Sequence, residues 1–398
     1  MLNNKTILLG VCGSIAAYKA AALASLLVKQ EAEVHVLMTA NAVNFINPIT
    51  FETLTGSKCL VDTFDRNFQF QVEHVSLAKK ADAVMVAPAS ANMVGKMAHG
   101  IADDMLSTTL LACQCPVFVA PAMNTRMFMN QAVQDNLAVL RRYGITVIEP
   151  ASGRLACGDT GAGKMPEPGE LLEYLERALC CVKDLAGKKV LVTAGPTQES
   201  IDPVRFITNH SSGKMGYAVA RAAMLRGADV TLVSGPVSLT PPPFVRTVHV
   251  VSASDMYEAV TAAAPDQDII IKAAAVADFR PAHVQNDKIK KKDGMTLLEL
   301  EPTDDILRSL GAGKREGQFL CGFSMETKDL LENSRAKLAS KNLDMIAANN
   351  VKVEGAGFSV DTNVLTLITK EREVSLPLMS KEDAAHALLD MIVEELKV

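Results

Sequence analysis

The sequence predicts an α/β protein built from two parallel-sheet domains, and three observations carry that prediction. Short, almost wholly apolar runs alternate with segments of helical periodicity along the chain. A strand running into a glycine turn occurs twice, once as Lys5-Thr6-Ile7-Leu8-Leu9-Gly10-Val11-Cys12-Gly13-Ser14 and again as Lys188-Lys189-Val190-Leu191-Val192-Thr193-Ala194-Gly195-Pro196-Thr197. Each opening leads to a helix rich in small residues, at 14–29 and 213–226. Strands that are apolar along their whole length belong in sheets covered by helices on both faces.

In the first half the expected strands are 5–11, 34–38, 82–87, 116–120 and 145–149, and the expected helices 14–29, 92–99, 104–112, 130–142 and 169–182. Five strands with interleaved helices fit a flavodoxin-like parallel sheet, with ligands beyond the carboxyl ends of the strands. The segment Lys183-Asp184-Leu185-Ala186-Gly187 follows a helix and precedes the second opening strand, so domains of 1–183 and 184–398 are expected. The second half repeats the alternation, with strands near 189–194, 229–234, 246–251, 268–275 and 319–323 and helices near 213–226, 254–264, 304–311, 327–340 and 380–396. Leu239-Thr240-Pro241-Pro242-Pro243 reads as a stiff loop, and 357–376 as a late β-hairpin on a mostly parallel sheet. Both halves are therefore expected to be Rossmann-like, three-layer domains. They share architecture more than sequence.

Composition narrows the function. At 398 residues, with 48% hydrophobic and 21% charged residues, each half can bury a core of its own. A net charge of −5 argues against nucleic acid as the main partner. No apolar run reaches the roughly 18 residues of a membrane span, and no signal peptide precedes the first strand, so a soluble, cytoplasmic protein is expected. The eight cysteines form no Cys-x-x-Cys, which disfavours zinc and thioredoxin-like sites and leaves reduced, mostly buried thiols, Cys157 excepted.

Neither half contains Gly-x-Gly-x-x-Gly, which disfavours a standard dinucleotide dehydrogenase. Gly158 to Lys164 nearly matches a P-loop, but Met165 stands where Ser or Thr would hold magnesium and 153–157 is a poor preceding strand. A mobile glycine-rich loop carrying Cys157 is the better reading. Gly13-Ser14-Ile15-Ala16-Ala17 suits either a phosphate on exposed amides or a tight helix–strand contact. Pro88-Ala89-Ser90-Ala91-Asn92 ends a buried strand with two polar side chains at the sheet edge. His74 opens a short helix, where a lone histidine is usually a surface or satisfied core residue. Asn124 follows another buried strand, where it either faces a ligand or caps the next helix. Asn209-His210-Ser211-Ser212-Gly213-Lys214-Met215-Gly216 is dense in donors before a helix, which suits a phosphate or carboxylate. The basic run Lys288-Ile289-Lys290-Lys291-Lys292, taken with Asp278 and the pair Asp304-Asp305, suits either a solvated face or a triphosphate with its metal.

Together these segments resemble one family over almost the whole chain, in the same order: the bacterial bifunctional coenzyme A biosynthesis proteins, a phosphopantothenoylcysteine decarboxylase fused to a phosphopantothenate–cysteine ligase. The resemblance rests on Pro-Ala-Met-Asn at 121–124, Ala-Cys-Gly-Asp-x-Gly-x-Gly-Lys-Met at 156–165, Ala-Gly-Pro-Thr at 194–197, Asn-His-Ser-Ser-Gly-Lys-Met-Gly at 209–216, Ala-Ala-Val-Ala-Asp at 274–278 and Lys-Ile-Lys-Lys at 288–291. For the first half it implies FMN bound by Gly13, Ser14, Thr39, Ser90, Asn92 and Ser107, with His74 as base, Asn124 gripping the cysteine carboxylate of the substrate and Cys157 as acid on a flap. One departure is visible: Asp104-Met105 stands where the family usually has Asp-Leu, a change that preserves volume. The implied chemistry is oxidation of the cysteine unit of 4′-phosphopantothenoylcysteine to a thioaldehyde, loss of CO2 and re-reduction to 4′-phosphopantetheine.

For the second half the resemblance implies that 4′-phosphopantothenate is activated by CTP as an acyl-cytidylate and then attacked by the amine of L-cysteine. Arg205, Asn209, Ser211, Ser212 and Gly213 would hold phosphopantothenate and the intermediate, with Asn209 and Lys288 catalytic. Ala273, Ala274, Asp278, Lys288, Asp304, Asp305, Ile306, Leu307, Phe323, Lys337 and Lys341 would contact CTP. Mg2+ is implied, held mostly by phosphate oxygens and water, with no protein ligand named. In the family the decarboxylase half forms trimers, with active sites at subunit contacts, and the ligase half dimerises; together these imply a dodecamer of four trimers joined by dimer contacts, so a homo-oligomer is expected. A related flavoprotein without ligase activity is disfavoured by the complete second half. A non-catalytic scaffold subunit is disfavoured by the joint presence of His74, Asn124 and Cys157.

Overall fold

The computed structural model describes residues 2–64, 73–154, 158, 160–290, 297–326, 330–350, 357 and 360–397. The chain divides into two compact units, Met1–Cys181 and Val182–Val398.

In the first unit, β1 (Thr6–Val11), β2 (Glu33–Met38), β3 (Ala83–Ala89), β4 (Val117–Pro121) and β5 (Thr146–Val147) form one parallel sheet in the order 2-1-3-4-5. This is the flavodoxin order. Its helices are α1 (Ala17–Lys29), α2 (Pro48–Thr55), α3 (Glu73–Lys80), α4 (Ala91–His99), α5 (Met105–Ala112), α6 (Thr125–Phe128), α7 (Gln131–Arg142) and α8 (Pro168–Leu179). Every residue of β1 is buried because alternate side chains feed two cores. Ile7, Leu9 and Val11 pack with Leu23, Leu27, Phe51 and Leu171 on one face, and Leu8 and Cys12 with Met93, Leu106 and Leu137 on the other. Gly10 lets α5 lie against the strand, for a Cβ there would stand 2.7 Å from Leu106 Cδ1. The glycine-rich segment expected as a mobile loop is a β-hairpin, β6 (Ala151–Arg154) paired antiparallel with β7 (Thr160–Lys164); its tip, Cys157 included, lies outside the described residues.

The second unit opens with β8 (Lys189–Ala194), the short hairpin β9 (Gln198–Ser200) and β10 (Phe206–Thr208), and α9 (Lys214–Leu225). It continues through β11 (Asp229–Ser234), β12 (Arg246–His249), α10 (Ala253–Ala263) and β13 (Ile269–Lys272). Next come a second hairpin of β14 (Phe279–Pro281) and β15 (Leu300–Pro302), then α11 (Ile306–Ala312), β16 (Phe319–Glu326), α12 (Leu330–Ser340) and β17 (Met345–Asn350). Last are β18 (Thr362–Asn363), β19 (Leu365–Thr369), β20 (Glu373–Ser375), β21 (Met379–Ser380) and α13 (Lys381–Glu395). The main sheet runs β12-β11-β8-β13-β16-β17-β19-β20. Its first six strands are parallel, in the doubly wound order 3-2-1-4-5-6, and β19–β20 is the late antiparallel hairpin.

Several boundaries differ from expectation for visible reasons. Helix α1 starts at Ala17 rather than 14, because Ser14 turns the chain: its carbonyl accepts from Ala17 N at 3.0 Å and its Oγ from Ala16 N at 3.3 Å. Helix α8 ends at Leu179, before the expected 182. Strand β13 ends at Lys272 rather than 275, since the following amides leave the ladder for side-chain and turn acceptors. Strand β17 went unread, since Ala347-Ala348-Asn349-Asn350 has little intrinsic strand preference; pairing with both β16 and β19 makes it one. Among the described cysteines Cys12, Cys59 and Cys321 are buried, but Cys113, Cys115, Cys180 and Cys181 are only half-buried.

Helix α9 presses directly on β8 through Gly216, where a Cβ would meet Ala194 Cβ at 2.5 Å and Thr193 O at 2.9 Å. Gly216→Leu should destabilise the second unit by about 3 kcal/mol, since backbone cannot yield as a side chain can. Denaturant unfolding checks this, and an unchanged midpoint would refute the close packing.

Candidate active sites

In the first unit the chain leaves β1 on one face and β3 on the other, which opens a gap at the carboxyl ends of these neighbouring strands. Around that gap Cys12 N donates to Pro88 O at 3.1 Å, and Thr39 N to Val11 O at 3.0 Å. Gly13 is required here: a Cβ would lie 2.7 Å from Asn41 Cβ. Ser90 caps α4 by accepting from Met93 N at 3.3 Å, and Asn92, two residues on, is exposed. Cys12 is wholly buried, which pushes its thiol up to about 11 despite its hydrogen bonding with Ser90. It is a packed, unreactive thiol.

The remaining called residues of this unit divide. Ser107 is buried, and its hydroxyl belongs to a capping box with Asp104: Ser107 N donates to Asp104 Oδ1 at 2.8 Å and Asp104 N to Ser107 Oγ at 3.1 Å. Burial works against the charge on Asp104, but Lys96, donating to Oδ2 at 2.6 Å, and Ser107 hold its pKa below the usual carboxylate range. Ser14 and Asn124 line one crevice, with Lys19, Met123, Arg154, Gly163 and Lys164. Asn124 does cap α6, its Oδ1 accepting from Arg126 N at 2.8 Å. His74 lies half-buried in the first turn of α3, which packs on α5, and lines no part of the Asn124 crevice.

The hairpin β6–β7 is seated against the Asn124 segment by its glycines. A Cβ at Gly163 would fall 2.2 Å from Met123 O, and Met123 N donates to Gly163 O at 3.1 Å. Below it, the nearly buried Lys19 donates to Met165 O at 3.0 Å and to Glu167 Oε1 at 2.7 Å. No motif announced Lys19. A lysine at a mostly apolar helix position was its only signal.

In the second unit the sheet order reverses between β8 and β13, and the segment after β13 spans that gap. It is held by β8 and its turn: Ala274 N donates to Thr193 Oγ1 at 3.1 Å, Ala275 N to Gly195 O at 2.9 Å and Ala277 N to Thr197 Oγ1 at 3.0 Å. Asn209 Nδ2 adds a bond to Ala275 O at 3.0 Å. Gly195, with φ +77, has Gly213 against it and leaves no room for a Cβ, which would meet Val237 Cγ1 at 2.9 Å. The turn of the second opening is therefore packed with protein, and the crevice lies beside it. Ser211, Ser212, Gly213, Ala273, Ala274 and Phe323 all line that crevice, as do Lys214 of the same donor-rich run and Asn349 and Lys381, which no sequence motif marks.

The other called residues gather nearby. Thr303 donates through N to Asp278 O at 3.0 Å and through Oγ1 to Ala277 O at 2.6 Å, which brings Asp304 and Asp305 beside Asp278. Asp305 caps α11 and pairs with Lys341 at 2.9 Å; these contacts outweigh burial and lower its pKa. Lys337 donates to Ser324 Oγ at 3.3 Å. Ile306 and Leu307 are buried in the core, so only their backbone can meet a ligand. Arg205 is committed to Asp202, and its Nη2 also reaches Ile289 O at 3.0 Å. Asp202 further accepts from Val204 N and Arg205 N at 2.8 Å and from Ile289 N at 3.1 Å. It thereby pins the segment of the exposed Lys288, which no local pattern foretold.

Comparisons with known proteins fit both units. Residues 1–179 match the family described as Flavoprotein, and residues 185–396 the family described as DNA/pantothenate metabolism flavoprotein C-terminal domain. The Coenzyme A biosynthesis bifunctional protein CoaBC of Bacillus subtilis (strain 168) is 50% identical over 396 residues, 98% of this chain and 97% of that protein. Its namesake from Vibrio cholerae is 47% identical over 397 residues, 99% of each. That of Escherichia coli (strain K12) is 43% identical over 396 residues, 98% of this chain and 97% of that protein.

The Arg205 guanidinium holds the Asp202 carboxyl far below the usual range, in spite of burial. A depressed pKa means that the contribution is present above the ordinary value near ~3.9 and is lost only as pH falls toward the lowered one. At neutral pH, Asp202→Asn should raise amide exchange at Ile289 about tenfold, as a charge-assisted bond becomes a neutral one. Hydrogen–deuterium exchange reads this directly, and unchanged protection would contradict the anchoring role.

Proposed function

The chain belongs to the bifunctional coenzyme A biosynthesis proteins, and we propose that its two units perform consecutive steps. Residues 184–398 join 4′-phosphopantothenate to L-cysteine with CTP, through an acyl-cytidylate. Residues 1–183 decarboxylate the product, 4′-phosphopantothenoylcysteine, to 4′-phosphopantetheine. The observation that carries this reading is that the donor-rich Ser211-Ser212-Gly213 turn and the Ala273-Ala274 segment, far apart in sequence, line one crevice at the point of strand reversal.

The residues of the β1/β3 edge fit FMN. Gly13 is the one residue that leaves room beside Asn41, and the polar Ser14, Thr39, Ser90 and Asn92 stand at the carboxyl ends of the strands or just beyond. FMN supplies a hydride acceptor and donor, which side chains lack. Around it, Asn124, which lines the crevice with Ser14, grips the carboxylate of the substrate. His74 acts as base. Cys157, outside the described residues, delivers a proton to carbon from the hairpin that Lys19 and Gly163 seat over Asn124. Ser107 contributes through the capping box that orders the start of α5.

In the second unit the carboxylate of phosphopantothenate attacks the α-phosphate of CTP and pyrophosphate leaves. Lys288, steadied through Ile289 by Asp202, meets the negative charge that develops. Asn209 and Arg205 stand beside the intermediate, Asn209 also ordering Ala275. Mg2+ is assigned to the nucleotide phosphates and water, the ligands this cation usually keeps.

We infer a homo-oligomer, a dodecamer of trimers and dimers, in which a second copy completes the decarboxylase site. The family resemblance supports this, and His74 is not among the described residues that line the Asn124 crevice. A cytoplasmic enzyme fits the absence, among the described residues, of any helix long and apolar enough to cross a membrane.

The test is an assay with phosphopantothenate, cysteine and each nucleoside triphosphate, following pyrophosphate and CO2 separately. Pyrophosphate release without CTP, or none with it, would sink the ligase reading. Lys288→Ala should lower amide formation by about a hundredfold or more while decarboxylation of supplied substrate continues. Loss of both activities would indicate misfolding instead. Cys157→Ser should still release CO2 but accumulate the oxidised ene-thiol, detected by mass spectrometry; normal phosphopantetheine output would exclude its role as acid.

A further inference from the structure

Lys272 is the last residue of β13, opposite Thr193 on β8 and Gly322 on β16, at the carboxyl edge where the strand order reverses. Two residues earlier on the same face, Ile270 packs with Ile306 and Leu307 of α11 and with Leu338 of α12. Lys272 therefore emerges between the start of α11 and the last turns of α12. Asp305 caps the first of these helices, Lys337 belongs to the second, and Lys341 directly follows it. Five charged groups meet there: Lys272, Lys337 and Lys341 against Asp278 and Asp305. Lys341 is paired with Asp305, and Lys337 bonds Ser324 Oγ. Among the described residues Lys272 takes part in no ion pair or hydrogen bond through its ammonium group.

A half-buried ammonium without a carboxylate partner of its own is an unfavourable arrangement for an empty protein. Burial and the neighbouring Lys341 hold its pKa down at about 8, against the pull of Asp305 and Asp278. What this ammonium lacks is an anion bonded to it. The surrounding groups are those assigned above to the nucleotide, and a nucleotide's polyphosphate is the anion the reaction brings.

We propose that Lys272 is a phosphate-binding residue of the nucleotide site, its ammonium donating to the polyphosphate of CTP alongside Lys337 and Lys341. This role rests on the assignment of CTP to the second unit. The side chain is placed by strand position rather than by a glycine motif, directly before the Ala273-Ala274 segment that lines the crevice.

The test measures CTP binding by titration calorimetry to the full-length protein, to Lys272→Met and to Lys272→Arg. Met keeps the length and apolar stem of lysine and loses the charge; Arg keeps the charge. Lys272→Met should bind CTP about tenfold more weakly or worse, and Lys272→Arg should stay within about threefold of the unaltered protein. Lys272→Met should melt no lower than the unaltered protein, and decarboxylation of supplied phosphopantothenoylcysteine should be unchanged in both variants, which separates lost binding from lost folding. Affinity of Lys272→Met within about twofold of the unaltered protein overturns the role of the lysine. So does an equal loss in both variants. Absence of CTP binding by the unaltered protein overturns the nucleotide assignment itself, and the lysine's role with it.

Discussion

A parallel strand cannot turn straight back into its neighbour. It must cross over the sheet, and where two successive crossovers take opposite faces, the carboxyl ends of adjacent strands are left uncovered. Both units are organised around such a gap, between β1 and β3 in the first and between β8 and β13 in the second. Cores, caps and tight glycine contacts serve to hold the chain at the rims of these gaps. At Gly13 a Cβ would crowd Asn41, and at Gly195 and Gly213 it would crowd the side chain of Val237.

The two gaps are furnished differently. In the first, a hairpin closes from outside, seated by Gly163 on Met123 and tied below by Lys19. This suits a reaction in which a proton must be delivered to carbon away from water. In the second, the backbone after β13 is itself the furnishing: Thr193, Thr197 and Asn209 bind its amides and carbonyl so that it spans the gap outside the ladder. A rigid backbone segment flanked by lysines suits recognition of a base and its phosphates. Asp202 extends the same order to the segment of Lys288 through one fully buried carboxylate.

Much of the fold was legible because its signals are local. The apolar runs of β1, β3, β8 and β11 can serve no other purpose than doubly covered strands, and Ser90, Ser252 and Ser380 each mark a helix start by capping it. Strand β17 was missed because Ala347-Ala348-Asn349 becomes a strand only through its two neighbours. Of the called residues, Ser211 to Gly213, Ala273, Ala274 and Phe323 come together in one crevice. Ile306 and Leu307 prove to be core side chains, and Ser107 a capping residue. Those distinctions depend on which way a side chain points, which a motif does not state.

The sequence by itself determined the class of fold, the existence of two similar scaffolds and the family, since periodicity and contiguous motifs survive in one dimension. Only the tertiary structure decided that the second glycine turn is filled by protein, that Asp202 anchors the Lys288 segment and that Lys272 stands beside Lys337 and Lys341. The physical reason is the same in each case. These are interactions between segments tens of residues apart in the chain, set by sheet register and burial, and a buried charge or a missing Cβ acquires its meaning only from the neighbours that folding supplies.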